Sequence, residues 1–237
     1  MRPSKILPAG LTPKQAVQLQ RELLGQLIFG PLPDPRDKLL IAGADCSYEK
    51  KARDGYAVLV VCRWPGMEIV EIARYAGLVS FPYVPGLLSF RELPLLHAAW
   101  QLLRRKPDLV VVDGQGYAHP RRFGLACHAG LLWKKPTLGC AKSILVGEHG
   151  ELGAERGQRS ELIHNGEVIG MALRTRAHVH PVYLSSGFRC DLSSAVDWML
   201  RLTGRYRQSE LIRLAHREVN ILRNAGKESQ NQQNPAA

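Results

Sequence analysis

No C-x-x-C pair occurs in the 237 residues, and the five cysteines (Cys46, Cys62, Cys127, Cys140 and Cys190) are odd in number and widely spaced. That pattern argues against a disulfide framework or a structural zinc site and suits a reducing compartment, so a cytoplasmic location is expected. Long apolar runs are missing too. The opening "MRPSKILPAGLTPKQAVQLQ" lacks the apolar core of a secretory signal, and no later run approaches the roughly 20 residues that cross a bilayer. No membrane partner is expected, no obligate protein partner is evident, and no internal repeat is visible. Acids are scarce relative to bases: 21 Asp and Glu face 32 Lys and Arg, giving a net charge of +11. Such an excess favours a polyanionic partner, nucleic acid above all. The length suits one well-buried core, so a single domain is expected over residues 1–224, followed by a polar, disordered tail over 225–237.

What is present reads as an α/β fold. Thr12-Pro13-Lys14-Gln15 is a capping box with proline at the first helical position. Val17, Leu24 and Ile28, with Leu23 and Leu27, recur at helical spacing, predicting a helix over 13–29. "KLLIAGADCSY", "YAVLVVCRW" and "MEIVEIARYAG" read as three consecutive strands, with the connections "EKKARDG" and "PG" short enough for antiparallel hairpins. A helix follows in "LPLLHAAWQLLRR", ended by Lys106-Pro107, and then a fully apolar strand in "DLVVVDGQG". Further on, "PTLGCAKSIL", "EVIGMALRTR" and "HPVYLSS" look extended, whereas "LSSAVDWMLRLTG" and "SELIRLAHREVNILR" look helical. An antiparallel unit followed by crossovers predicts a mixed sheet with helices on its faces.

Two acids end strands. Asp45 follows the apolar Leu39, Leu40 and Ile41, and Asp113 closes "LVVVD". An unpaired buried carboxylate is costly, so each needs a cation, a turn or a metal. If the first and fourth strands are neighbours, the two carboxylates face each other with oxygens suited to Mg²⁺. Glu92 has two readings: the last residue of a Ser89-Phe90-Arg91-Glu92 capping box, or a free carboxylate just before a helix beginning near Leu93, since Pro94 sits badly inside a helix. Clustered acids in a basic chain suit metal-assisted phosphodiester cleavage.

The segment "SFPYVPGLLSFRE" carries Pro82 and Pro85, which exclude helix interior and central strand and make a stiff, projecting turn around Tyr83 and Val84.

Five stretches, "IAGADCSY", "FPYVPGLLSFRE", "DGQGYAHPRRFGLACHAG", "CAKS" and "LAH", stand in the order and register of the endonuclease V family, and the resemblance spans roughly residues 12 to 220. It implies a ribonuclease H-like fold and Mg²⁺-dependent nicking of DNA at the second phosphodiester bond 3′ to deoxyinosine, leaving 3′-hydroxyl and 5′-phosphate ends, with Mn²⁺ able to substitute. By the resemblance, Asp45, Glu92 and Asp113 match metal-coordinating acids, Lys142 a lysine near the scissile phosphate and His216 a catalytic histidine. Pro82-Tyr83-Val84-Pro85 matches a wedge that fills the space left by the extruded base. Gly86, Leu88, Gly114, Gly116 and His119 match the hypoxanthine pocket. Residues 147–162 resemble the family least and are read as a variable loop. The alternatives on the same fold are a nuclease for inosine-containing RNA or a structure-specific nuclease.

Overall fold

The computed structural model describes residues 2–48 and 53–233, those from 227 onward by backbone alone. The connection "EKKARDG" lies partly outside these residues, as does the end of the tail, 234–237. A short α1 (Pro3–Ile6) and α2 (Pro13–Leu24) precede the three strands β1 (Leu40–Tyr48), β2 (Asp54–Arg63) and β3 (Glu68–Leu78). Then come α3 (Leu88–Leu102), β4 (Leu109–Asp113), α4 (Leu125–Trp133), β5 (Thr137–Ala141), β6 (Glu148–His149) and β7 (Arg159–His164). The chain continues through β8 (Glu167–Leu173), β9 (Val182–Ser186), α5 (Leu192–Leu202) and α6 (Glu210–Gln233). No helix among the described residues is long and apolar enough to cross a membrane. All five thiols are unbridged.

One sheet takes the order β3-β2-β1-β4-β5-β9-β8-β7-β6. β1, β2 and β3 pair antiparallel, β4 runs parallel to β1, and β5 runs parallel to β4. The pleat sorts β1 between two cores. Ala42 and Ala44 pack with Leu96, Ala99 and Phe123 on the α3 and α4 side. Ile41 packs with Trp198, Met199, Leu211 and Val219 on the α5 and α6 side. Gly43 shares that second face, where a Cβ would sit 2.2 Å from the Leu211 carbonyl oxygen. Glycine here lets α6 lie directly on β1.

The capping box of α2 forms as the sequence predicts: the Gln15 amide donates to Thr12 Oγ1 at 3.3 Å and the Thr12 amide to Gln15 Oε1 at 2.9 Å. The helix stops at Leu24, short of 29, where Gly25 takes the cap position. Neither reading of Glu92 holds in full. Helix α3 begins at Leu88, so Ser89 is not its cap and Glu92 lies inside it, with Pro94 also inside. Burial of Phe90, Leu93, Leu95 and Leu96 outweighs the backbone bond that Pro94 forgoes. Helix α4 has no counterpart in the sequence reading, because all nine of its residues are buried and no polar face marks a helical period. The expected variable loop holds β6 and part of β7 at the sheet edge. At the carboxyl end, α6 continues past the expected boundary at 224 to Gln233, so 225–233 is helical. Its Lys, Glu and Gln residues propagate a helix that is already nucleated.

His128 ties α1, α3 and α4 together. Its Nε2 donates to the Ile6 carbonyl at 2.7 Å, and its Nδ1 accepts from Ser89 Oγ at 3.1 Å. Burial holds it neutral, with its pKa lowered to about 4. A histidine depressed in the fold contributes stability that is fully present above the unfolded pKa near 6.5 and is lost as pH falls through about 4. Urea titrations from pH 7 to pH 4 are expected to show His128→Gln losing about 3 kcal/mol less than the wild type across this window. Parallel losses in the two proteins would refute the assignment.

Candidate active site

The parallel pairing of β1 with β4 ends at Ala44 and Val112, and the next residue on each strand is an acid, Asp45 and Asp113. By the pleat, both follow the face of Ile41 and Leu109, toward α6. His216 on α6 donates from Nδ1 to Asp45 Oδ2 at 2.8 Å, and the Cys46 amide donates to Asp45 Oδ1 at 2.8 Å. Asp113 Oδ2 accepts from Lys142 Nζ at 2.8 Å, just beyond the end of β5. Glu92 enters from α3 on the opposite face and is buried.

Electrostatics bind these acids into one unit. Burial, then the neighbouring charge of Asp113, pushes Asp45 up to about 6 against the lowering effect of His216 and the Cys46 amide. Burial, then Asp45, with Asp113 further off, pushes Glu92 up to about 8. The Tyr48 hydroxyl lies near enough to favour the charged Glu92, but it completes no hydrogen bond of ordinary geometry. Burial would depress the Lys142 ammonium, yet its bond to Asp113 and the charges of Asp113 and Asp45 lift it above the usual lysine range. Among the described residues, no three His, Cys, Asp or Glu side chains form a ready-made metal cage. Asp113 is turned to Lys142 and Asp45 to His216. The donor set nevertheless fits a hard divalent ion: Asp113 raises the proton affinity of Asp45 and Glu92, and Asp45 that of Glu92, which marks a local deficit of positive charge.

A cavity of about 340 Å³ opens beside Asp113 and Lys142, which both line it. Its other walls include Tyr83, Val84, Pro85, Gly86, Leu88 and His119. The Leu87 amide closes on the Val84 carbonyl at 2.9 Å with Gly86 at φ +76°, a turn with proline and then glycine at its centre. It presents Tyr83 with 73% of its surface exposed. The Gly86 carbonyl accepts from three donors: His119 Nε2 at 2.9 Å, Arg121 Nη2 at 2.7 Å and Gln20 Nε2 at 3.1 Å. The Arg121 amide donates to His119 Nδ1 at 3.1 Å, so His119 is the neutral Nε2–H tautomer, its pKa lowered to about 4 by burial. Gly114 lines the cavity at φ +154°. Gly116 does not line it: its amide bonds Ser185 Oγ at 2.8 Å, and a Cβ there would lie 2.2 Å from the Ser186 carbonyl oxygen. It packs behind the wall and does not form its surface.

A family model described as Endonuclease V matches residues 26–217. The chain belongs to the endonuclease V family. An Endonuclease V from Myxococcus xanthus is 51% identical over 219 residues, 92% of this chain and 93% of that one. The crystal structure of the endonuclease V from Streptomyces avermitilis superposes with a TM-score of 0.87 at 40% identity, covering 94% of this chain and 98% of the other. The Ciona intestinalis endonuclease V (D234N), solved with a 23mer DNA containing an inosine followed by a ribo-adenosine, has a TM-score of 0.78 and 26% identity over 89% of this chain and 97% of its own. The mixed sheet flanked by helices is thus the ribonuclease H-like fold of endonuclease V, and the protein is an endonuclease.

Sequence reasoning passed over Gln20 and Arg121. Gln20 is fully buried on α2, in step with Ala16 and Leu23. That helical spacing is the signal that it faces inward. Besides the Gly86 carbonyl, its Nε2 donates to the Phe123 carbonyl at 3.0 Å, and its Oε1 accepts from Arg121 Nε at 2.6 Å. Gln20→Leu keeps the bulk but deprives these buried partners, so a loss of about 2 kcal/mol is expected in urea unfolding at neutral pH. An unchanged midpoint would show that the three bonds contribute nothing net.

Proposed function

We propose that this protein recognises deoxyinosine in DNA and nicks the strand at the second phosphodiester bond on its 3′ side, with Mg²⁺ as the natural ion and Mn²⁺ able to replace it. The observation that carries the reading is that Asp113 and Lys142 belong both to the carboxylate cluster and to the wall of the 340 Å³ cavity, placing a base-sized recess against the reacting groups. The inosine-containing DNA bound by the Ciona relative supports the same substrate. Five unbridged thiols suit work in a reducing cytoplasm.

Asp45, Glu92 and Asp113 would hold the ion, which when bound supplies Lewis-acid polarisation of the phosphate and an acidified water. Lys142 offsets charge that builds on the phosphate oxygens as the bond to the leaving oxygen lengthens. The Nδ1 bond to Asp45 holds the His216 ring in place and leaves Nε2 to orient water or exchange a proton with it. Tyr83, on its proline-flanked turn, takes the place of the extruded base. Stacking worth about 1–3 kcal/mol offsets an extrusion cost of a few, which is lowest at a weakly paired lesion.

The test is a duplex with one deoxyinosine, incubated with Mg²⁺, with Mn²⁺ and with chelator, beside an undamaged duplex. A metal-dependent nick one nucleotide beyond the lesion is expected, and an uncut lesion strand would reject the reading. A second reading, cleavage of inosine-containing RNA, draws on the ribo-adenosine that follows inosine in the Ciona complex. An RNA oligonucleotide cut faster than its DNA counterpart would favour it.

A further inference from the structure

A second cavity, of about 430 Å³, is lined by Lys142 with Tyr206, Arg207, Arg213, His216 and Arg217. Among the described residues Lys142 alone lines both this cavity and the base-sized recess. We propose that this second cavity holds the phosphodiester that follows the scissile bond, on the side of the cut away from the lesion. The inference rests on the deoxyinosine reading and deepens it.

Three observations carry it. The first is continuity. With the lesion base in the recess and the scissile phosphate beside Lys142 and Asp113, the strand has to continue past Lys142, and this cavity shares Lys142 with the recess. The second is charge. Lys142, Arg207, Arg213 and Arg217 line it with His216, and no carboxylate among the described residues does. Four of these side chains already face an acid, Lys142 Asp113, His216 Asp45, Arg213 Glu210 and Arg217 Glu218, so an incoming phosphate would share them. The third is fixity. Arg207 Nη2 donates to the carbonyls of Lys142 and Pro181, at 2.7 and 2.6 Å, which holds its guanidinium in the wall beside Lys142. A guanidinium held in place suits a phosphate oxyanion.

The arrangement is pre-organised. Arg213, His216 and Arg217 stand at helical spacing on one side of α6. The Arg213 guanidinium lies 3.3 Å over the Tyr206 ring, which fixes its plane. Arg217, whose side chain is 60% exposed, pairs with Glu218 at 3.2 Å and would exchange or share that partner to meet a phosphate.

The experiment pairs two duplexes with the same full-length complement. In one, the deoxyinosine strand runs well past the cut; in the other it ends at the nucleotide immediately after it, so the scissile bond remains but the next phosphodiester is missing. Wild-type protein is expected to lose roughly tenfold in kcat/KM on the shortened strand, through KM, and that ratio is expected to collapse toward one in the Arg213→Gln/Arg217→Gln double variant. Arg217→Gln alone, which leaves the Tyr206 stack intact, should lower the salt slope of binding to the long duplex by about one. Wild-type indifference to truncation, or an unchanged ratio in both variants, overturns the subsite while deoxyinosine cleavage stands. Failure of the wild type to cut either duplex overturns the deoxyinosine reading, and the subsite with it.

Discussion

Asp113→Asn is expected to lower the rate of strand nicking by about a thousandfold while leaving the fold intact. The side chain is 13% exposed, and among the described residues it pairs with the Lys142 ammonium at 2.8 Å. Asparagine has nearly the same shape and still offers an oxygen to that ammonium, so packing is preserved. What disappears is the charge that gathers a cation and orients Lys142. Stability should hold or rise, because Asp113 raises the proton affinity of both Asp45 and Glu92, and removing it relieves that repulsion. DNA affinity should persist with its usual salt dependence, carried by a chain of net charge +11. Nicking kinetics, thermal melting and filter binding on one preparation check all three. Wild-type nicking by the variant would remove Asp113 from the reacting centre.

Tyr83→Ala is expected to weaken binding to a deoxyinosine duplex by roughly tenfold to a hundredfold, and binding to an undamaged duplex much less. The ring contributes little to the free protein, being 73% exposed, so its loss should leave the melting temperature nearly unchanged. Its value lies in the complex, where the stiff turn lets it stack without first being ordered. The turn is held from behind: Arg91 Nη1 donates to the Phe81 carbonyl at 2.7 Å, and the Gly86 carbonyl takes three donors. Binding isotherms on the two duplexes decide the matter. Equal losses on both would mean that Tyr83 is a general contact and not a lesion probe.

Much of this was legible in the residue order because the signals are local. The capping box at Thr12, the apolar strands and the proline-stiffened stretch around Tyr83 each need only a few neighbouring residues. The neighbourhood of Asp45 and Asp113 was legible only on the condition that the first and fourth strands are adjacent, which the sheet meets. Helix α4 was not, since a helix buried on every side shows no period. The start of α3 at Leu88 was misread because Pro94 looks forbidding until the burial of Phe90, Leu93 and Leu96 is counted against it. Gln20 and Arg207 were passed over for another reason. They bond across more than sixty residues of sequence separation, to the Gly86 and Lys142 carbonyls, and no local pattern reports such a partner.

Gly43 settles more than a packing distance. By admitting the α6 backbone at Leu211, it seats His216 against Asp45, while Glu92 arrives on α3 from the other layer of the sheet. The carboxylate cluster therefore draws on both layers of the sheet and is complete only where both are packed on β1. A newly made or damaged chain with one layer detached carries the acids but not their alignment, so competence to cut is conferred by the finished tertiary structure. For a protein that breaks nucleic acid strands, incomplete folding is in this way its own safeguard.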